Sequence, residues 1–179
     1  EGSRAKSAEG RGATACADHL LIPAGSGGAI GLPENFRRAG LLPLRADAAE
    51  LPGVPGLAAV ISGSCSQATN AQVAHWLESG RPAIRIDPLA NARAEDLATE
   101  ALQQATPLLA SGPVLFYATA VPEVVKAVQS KLGVAEAGAL VEGALAAIAQ
   151  GLIARGVTRL VVAGGETSGA LVQALGIAA

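Results

Sequence analysis

The feature that most constrains this chain is a rhythm. Short apolar runs are each followed by a Gly- or Ser-rich corner and then by a stretch with helical spacing. LAAVIS (57–62) leads into SGSCSQ and then ATNAQVAHWLESG (68–80). TRLVVA (158–163) leads into GGETSG and then ALVQALG (170–176). Strands that alternate with helices pack as a layered α/β sheet, mainly parallel. Helices then cover both faces, and the buried strands read as continuous apolar runs rather than alternating ones. In such sheets ligands sit beyond the carboxyl ends of the strands, where both polar corners are expected to lie.

The remaining elements follow the same pattern. HLLIPA (19–24) reads as a short strand, GSGG as its loop, and GLPENFRRAG (31–40) as a short helix with Pro33 near its first turn. In 68–80, Val73, Trp76 and Leu77 share one face and Gly80 ends the helix. PAIRID (82–87) and PVLFYAT (113–119) are strands. Helices are expected over 94–110, 122–133 and 135–156. Residues 1–17 are small, polar and aperiodic and read as a disordered or linker-like start, leaving 18–179 as one domain. The chain has no methionine, even at position 1, which reads as a fragment.

Composition narrows the function classes. Hydrophobic residues make up 50% of the chain but aromatics only 2%, so the core must rely on Ala, Leu, Val and Gly and on close approach of helix to sheet. A formal net charge of -2, from 13 basic and 15 acidic residues, argues against a nucleic-acid partner. No run reads as a membrane span or a signal peptide, which gives a cytoplasmic location by default. Cys16 and Cys65 are far apart and read as reduced thiols. His19 and His75 have no partner at zinc spacing, so no metal site is expected from the protein alone.

Three corners have residues that could carry chemistry. GGETSG lets the backbone turn tightly at Gly164 and Gly165 and presents helix-start N–H groups to an anion, with hydroxyls at Thr167 and Ser168. Glu166 would repel phosphate unless Mg²⁺ or a ribose hydroxyl intervened. The plain alternative is a strand-to-helix turn capped by Thr167 or Ser168. SGSCS sets Ser62, Ser64 and Ser66 around Gly63 and reads equally as a capping loop; Cys65 lacks a base at a diagnostic spacing for a nucleophile. AGSGGAIG (24–31) approximates a dinucleotide fingerprint, but Ile30 stands where Gly is required, and Asp47 mimics the ribose acid. Asp87 before Pro88 reads as a turn former rather than a metal ligand. No GxxxxGK[ST] occurs, so a Walker-A site is excluded.

Together the loops resemble one family. VVAGGETSGALVQALG (161–176) and AVISGSCSQATNAQV (59–73) resemble two signatures of the four-carbon acid sugar kinases, in their C-terminal nucleotide-binding domain. PAGSGGAIGLPENFRRAGLL (23–42) is similar to that domain's opening and PVLFYATAVPEVVKAV (113–128) to its middle. The resemblance implies an ATP-dependent kinase acting on threonate, erythronate or their oxo forms. ATP and Mg²⁺ would be its cofactors, and a separate N-terminal domain, absent here, would hold the acid sugar. It implies that Ser62, Gly164, Gly165, Glu166 and Thr167 line the nucleotide, with Gly63 and Ser64 of second rank. It assigns no catalytic residue. A further Gly-rich segment that the family carries after the last helix is missing. Two other readings stay open: a non-catalytic nucleotide-binding or assembly module, and an NAD(P)-binding oxidoreductase domain built on GSGGAIG. A homodimer is left open as well.

Overall fold

A computed structural model of the chain describes residues 36–41, 43, 45–47, 50 and 53–177. The chain divides into two units, Glu1–Pro52 and Gly53–Ala179. The expected boundary after residue 17, the strand at 19–24, the AGSGGAIG segment, Cys16 and His19 lie outside the described residues, as does the first half of the helix at 31–40. In the first unit, Phe36–Arg38 are helical, and Arg45 and Asp47 form an exposed ion pair at 2.9 Å.

In the second unit, strands β1 (Leu57–Ser62), β2 (Ala83–Arg85), β3 (Val114–Tyr117) and β4 (Val157–Ala163) form one sheet in the order β2-β3-β1-β4. Every pairing is parallel, with Ile61 opposite both Phe116 and Val162. The helices are α1 (Gln67–Glu78), α2 (Ala94–Ala105), α3 (Pro122–Leu132), α4 (Val134–Ala154) and α5 (Gly165–Ala174), with a 3-10 turn at Leu109–Ser111. This is the parallel, layered sheet that the apolar runs dictate.

Alternation along β1 assigns the faces. Ala59 and Ile61 point into the main core with Val114, Phe116 and Ile84, where α2, α4 and α5 pack. Val60 and Ser62 point the other way, toward Thr69, Val73 and Trp76 of α1. The helices that follow the neighbouring strands β1 and β4 thus lie on opposite faces. A crevice opens where adjacent strands send their helices apart, and here it falls between the corners SGSCS and GGETSG.

The core is built from small residues, as the scarcity of aromatics requires. Ala98, Ala101 and Ala105 of α2 meet Ala144, Ile148 and Leu152 of α4, all buried. Glycines let the two helices close. A Cβ on Gly143 would stand 3.1 Å from that of Ala94, and one on Gly151 would collide with Leu102. Helix α4, 21 residues long, has the length and apolar content of a membrane span but also those of a core helix. Its Leu145, Ile148 and Leu152 are fully buried against the sheet and neighbouring helices.

Several boundaries differ from expectation for local reasons. The strand expected at 82–87 spans only Ala83–Arg85: Ile86 still donates to the Tyr117 carbonyl, but Asp87 and Pro88 then turn the chain. The helix expected at 94–110 stops at Ala105, because Pro107 supplies no N–H and disfavours helix at Thr106. Of the trio meant to share a face in α1, Val73 is buried and Trp76 half-buried, donating to the Pro82 carbonyl at 3.0 Å, while Leu77 is 43% exposed. The last helix starts at Gly165 rather than residue 170, so the GGETSG corner is mostly the first turns of α5.

The core contacts set a stability expectation. Ile148→Ala leaves a cavity between α4 and the sheet and should lower unfolding stability by about 2–5 kcal/mol. Val161→Thr, at a strand position 61% exposed, should change it by less than ~0.5 kcal/mol. Urea melts of the two variants check both.

Candidate functional site

Two corners meet at the carboxyl end of the sheet. After β1, the N–H groups of Gly63 and Ser64 both donate to the carbonyl of Ala163, the last residue of β4, at 3.2 and 3.4 Å. Gly63 lies directly against Thr167, and a Cβ there would collide with the threonine hydroxyl. Gly164, at φ +124°, takes a backbone conformation that L side chains rarely adopt, and a Cβ on it would press on Ser64. The two corners are therefore interlocked through backbone, and glycine is required where they touch.

The helices leaving these corners differ at their starts. Helix α1 is capped: Ser66 Oγ accepts from the N–H of Thr69 at 3.2 Å, and Thr69 Oγ1 donates to Ser64 Oγ at 3.1 Å. SGSCS is thus a capping loop in fact, whatever else it does. Helix α5 has Gly164 as N-cap and no side-chain cap, and its first intrahelical bond runs from Ser168 N to Gly164 O at 2.8 Å. Neither Thr167 nor Ser168 caps it; Ser168 Oγ instead donates to the Gly164 carbonyl at 2.6 Å. The N–H groups of Gly165, Glu166 and Thr167 precede that first bond and carry the positive end of the helix dipole.

These groups open on a cavity of about 480 Å³ fed by all four strand ends. Gly63, Ser64, Gly164, Gly165, Glu166 and Thr167, six of the seven residues singled out from the sequence, line it. A Cβ on Gly165 would meet nothing within 4 Å, so that position faces open space. Ser62, also expected at the nucleotide, is the exception: it does not line the cavity. Its side chain is 2% exposed and shares a 2.6 Å hydrogen bond with Thr119 Oγ1 on the far side of the strand, tying β1 to the segment after β3. Period-two alternation puts Ser62 on the face of Val60 and turns it away from the cavity.

Sequence reading missed other walls. Arg85, at the end of β2, and Val124, Gln129, Gly138, Val141 and Glu142 of α3 and α4 also line the cavity. The arginine closing an otherwise apolar strand was a usable signal. The helix residues were not, since nothing in their spacing separates cavity-facing from core-facing apolar positions. Asp87 lines the cavity while its Oδ1 accepts from Leu89 N at 2.9 Å, the turn-forming role expected of it. Among the cavity's charged residues, Arg85 stands against Asp87, Glu142 and Glu166. No group of three metal-ligating side chains occurs among the described residues.

The features behind the weaker readings have ordinary roles. Asp47, cast as the ribose acid of a dinucleotide site, is held by Arg45, whose guanidinium lowers its carboxyl below the usual range. Cys65 is an exposed thiol 3.8 Å from the Gly63 carbonyl.

Comparison with known proteins places this geometry. Residues 59–179 match the family described as "Nucleotide-binding C-terminal domain". The chain is 62% identical over 168 residues to a 3-oxo-tetronate kinase of Cupriavidus necator, covering 92% of this chain and 38% of the relative. It is 60% identical over 163 residues to one of Burkholderia multivorans, covering 91% and 38%. The crystal structure of Haemophilus influenzae protein HI1011 superposes with a TM-score of 0.70 at 34% identity, covering 92% of this chain and 39% of that one. The chain thus spans about two fifths of the length of these relatives. It belongs to the four-carbon acid sugar kinase family, as its nucleotide-binding C-terminal domain.

Proposed function

We propose that this chain is the ATP-holding half of a kinase that phosphorylates a four-carbon acid sugar such as 3-oxo-tetronate, threonate or erythronate. The observation that carries the reading is the uncapped start of α5, facing a cavity where all four strands end. Backbone N–H groups at such a start bind phosphate without any basic side chain. Kinship to proteins named 3-oxo-tetronate kinase supplies the acceptor class. A cytoplasmic, soluble setting goes with that reading.

The lining chemistry fits a metal-complexed nucleotide. One arginine against three carboxylates would repel bare triphosphate. Mg²⁺ binds through one or two carboxylates plus substrate phosphates rather than in a dedicated protein cage, and Glu166 beside the α5 start is the carboxylate suited to it. When bound, the ion neutralises charge on the phosphates. The chain's own part is to orient. Gly165, Glu166 and Thr167 N–H groups hold the phosphates, and Gly63 lets the β1 corner pack on Thr167 without a Cβ in the way. Ser62, through Thr119, fixes the corner that carries Gly63. The acceptor hydroxyl oxygen would then form a bond to the terminal phosphorus as the bridging P–O bond breaks and ADP leaves. Such transfer depends on positioning and charge compensation more than on covalent help from the protein. The acceptor and the group that takes its proton would come from the N-terminal portion of the longer relatives.

Two measurements follow. Gly165→Val fills open space at the helix start, so isothermal calorimetry should show at least a tenfold loss of MgATP affinity with an unchanged melting temperature; full affinity in the folded variant removes this corner as the phosphate site. Chelating Mg²⁺ should weaken ATP binding to the unaltered chain, and Glu166→Gln should shrink that dependence by relieving repulsion of the free nucleotide. Equal binding with and without Mg²⁺ would point instead to a plain anion cradle. Intact MgATP binding with no turnover after the N-terminal portion is restored would favour a non-catalytic nucleotide module.

A further inference from the structure

The cavity has two chemically distinct parts. Its floor, at the strand ends, is made of glycines, hydroxyls, backbone N–H groups and the charged side chains of Arg85, Asp87 and Glu166. Its other wall is apolar and comes from two consecutive helices, α3 and α4, joined at the single residue Gly133. Val124, Val125 and Val128 of α3 and Ala137, Gly138 and Val141 of α4 line it. Each set sits at positions i, i+1 and i+4, which fall on one side of a helix. Glycine at 138 keeps this wall open: a Cβ there would meet no atom within 4 Å. Gly138 is not needed for packing or backbone conformation. It lies inside a helix, where glycine is less favourable than alanine. Leaving a space is the physical role that remains for it.

Two polar side chains stand in this largely apolar part, Glu142 of α4 and Gln129 of α3. Gln129 is half-buried, lines the cavity, and its side-chain amide makes no hydrogen bond within the described residues. A carboxamide offers a donor and an acceptor side by side. That pair matches the N6 amino and N7 edge of adenine and mismatches guanine, which presents two acceptors there. Ligand sites of this size, within about 300–1,000 Å³, commonly combine an apolar wall with a few polar groups that set orientation.

We infer that the slot between α3 and α4 holds the purine ring of the nucleotide, with Gly138 keeping it open and Gln129 selecting adenine over guanine. This rests on the nucleotide reading above, but it makes a separate claim about a different part of the cavity. The phosphate corner alone would bind inorganic tripolyphosphate as well as ATP. The slot adds affinity only for a ligand with a base.

The test compares ligands on the 179-residue chain by calorimetry in Mg²⁺. The unaltered chain should bind ATP at least tenfold tighter than tripolyphosphate, and ATP at least tenfold tighter than GTP. Gly138→Leu, which has room and favours helix, should reduce ATP affinity to that of tripolyphosphate while leaving tripolyphosphate binding as it was. Gln129→Met should keep most of the ATP affinity but erase the preference over GTP. If tripolyphosphate and ATP bind equally to the unaltered chain, the slot is not a base site, and the phosphate corner survives. A folded Gly138→Leu chain with full ATP affinity overturns the slot as well, and an undiminished ATP preference in Gln129→Met overturns the role of Gln129. Failure of every ligand to bind the unaltered chain removes the nucleotide reading and this inference with it.

Discussion

The backbone contact between the β1 and β4 corners holds the site in register. Gly63 and Ser64 both donate to one carbonyl, that of Ala163, and Gly63 sits against Thr167 with no room for a Cβ. A corner that spends two N–H groups on its neighbour cannot drift, so the start of α5 is fixed relative to the end of β1. Ser62 extends the tie to a third strand through Thr119. Preorganised donors of this kind do not need to be reoriented when an anion arrives, which is what makes an uncapped helix start useful rather than merely unsatisfied.

The small-residue core serves the same end. Helices that approach through Ala and Gly sit close to each other and to the sheet, and α4 in particular is pressed between α2 and the strands. One end of α4 therefore belongs to the core, through Leu145, Ile148 and Leu152, while its first turns reach out to line the cavity through Ala137, Gly138 and Val141. A single rigid helix links interior packing to the ligand wall. Changes at its core end should be felt in the site, because close-packed interiors transmit displacement rather than absorb it.

Much of this was legible in the chain. The apolar runs fixed a parallel sheet because LAAVI and LVVA have no alternation to offer a wet face, and the Gly-rich corners marked the strand ends that line the cavity. What escaped were features that depend on direction. Ser62 belongs to a corner motif, yet it is the last residue of β1, and the pleat turns its hydroxyl to the other face. The GGETSG corner looked like a loop because its glycines disfavour helix, but helix α5 begins inside it once Gly164 has made the turn. The valines of α3 carried no mark of their role, since an apolar stripe is the same text whether it meets a core or a cavity.

The electrostatics of the cavity also bear on what it does not hold. An acid sugar brings its own carboxylate, and the lining offers one arginine and three carboxylates to receive it. A small anion without a bound cation would find the balance unfavourable here, whereas on the proposed reading a nucleotide would arrive with its charge partly cancelled by Mg²⁺ and would gain from the α5 N–H groups and the apolar slot together. The asymmetry that would suit this portion to a metal-complexed nucleotide would make it a poor seat for the acceptor. On the kinase reading, two anions must meet, and the chain solves its share of that problem by binding only the one that can be neutralised in advance.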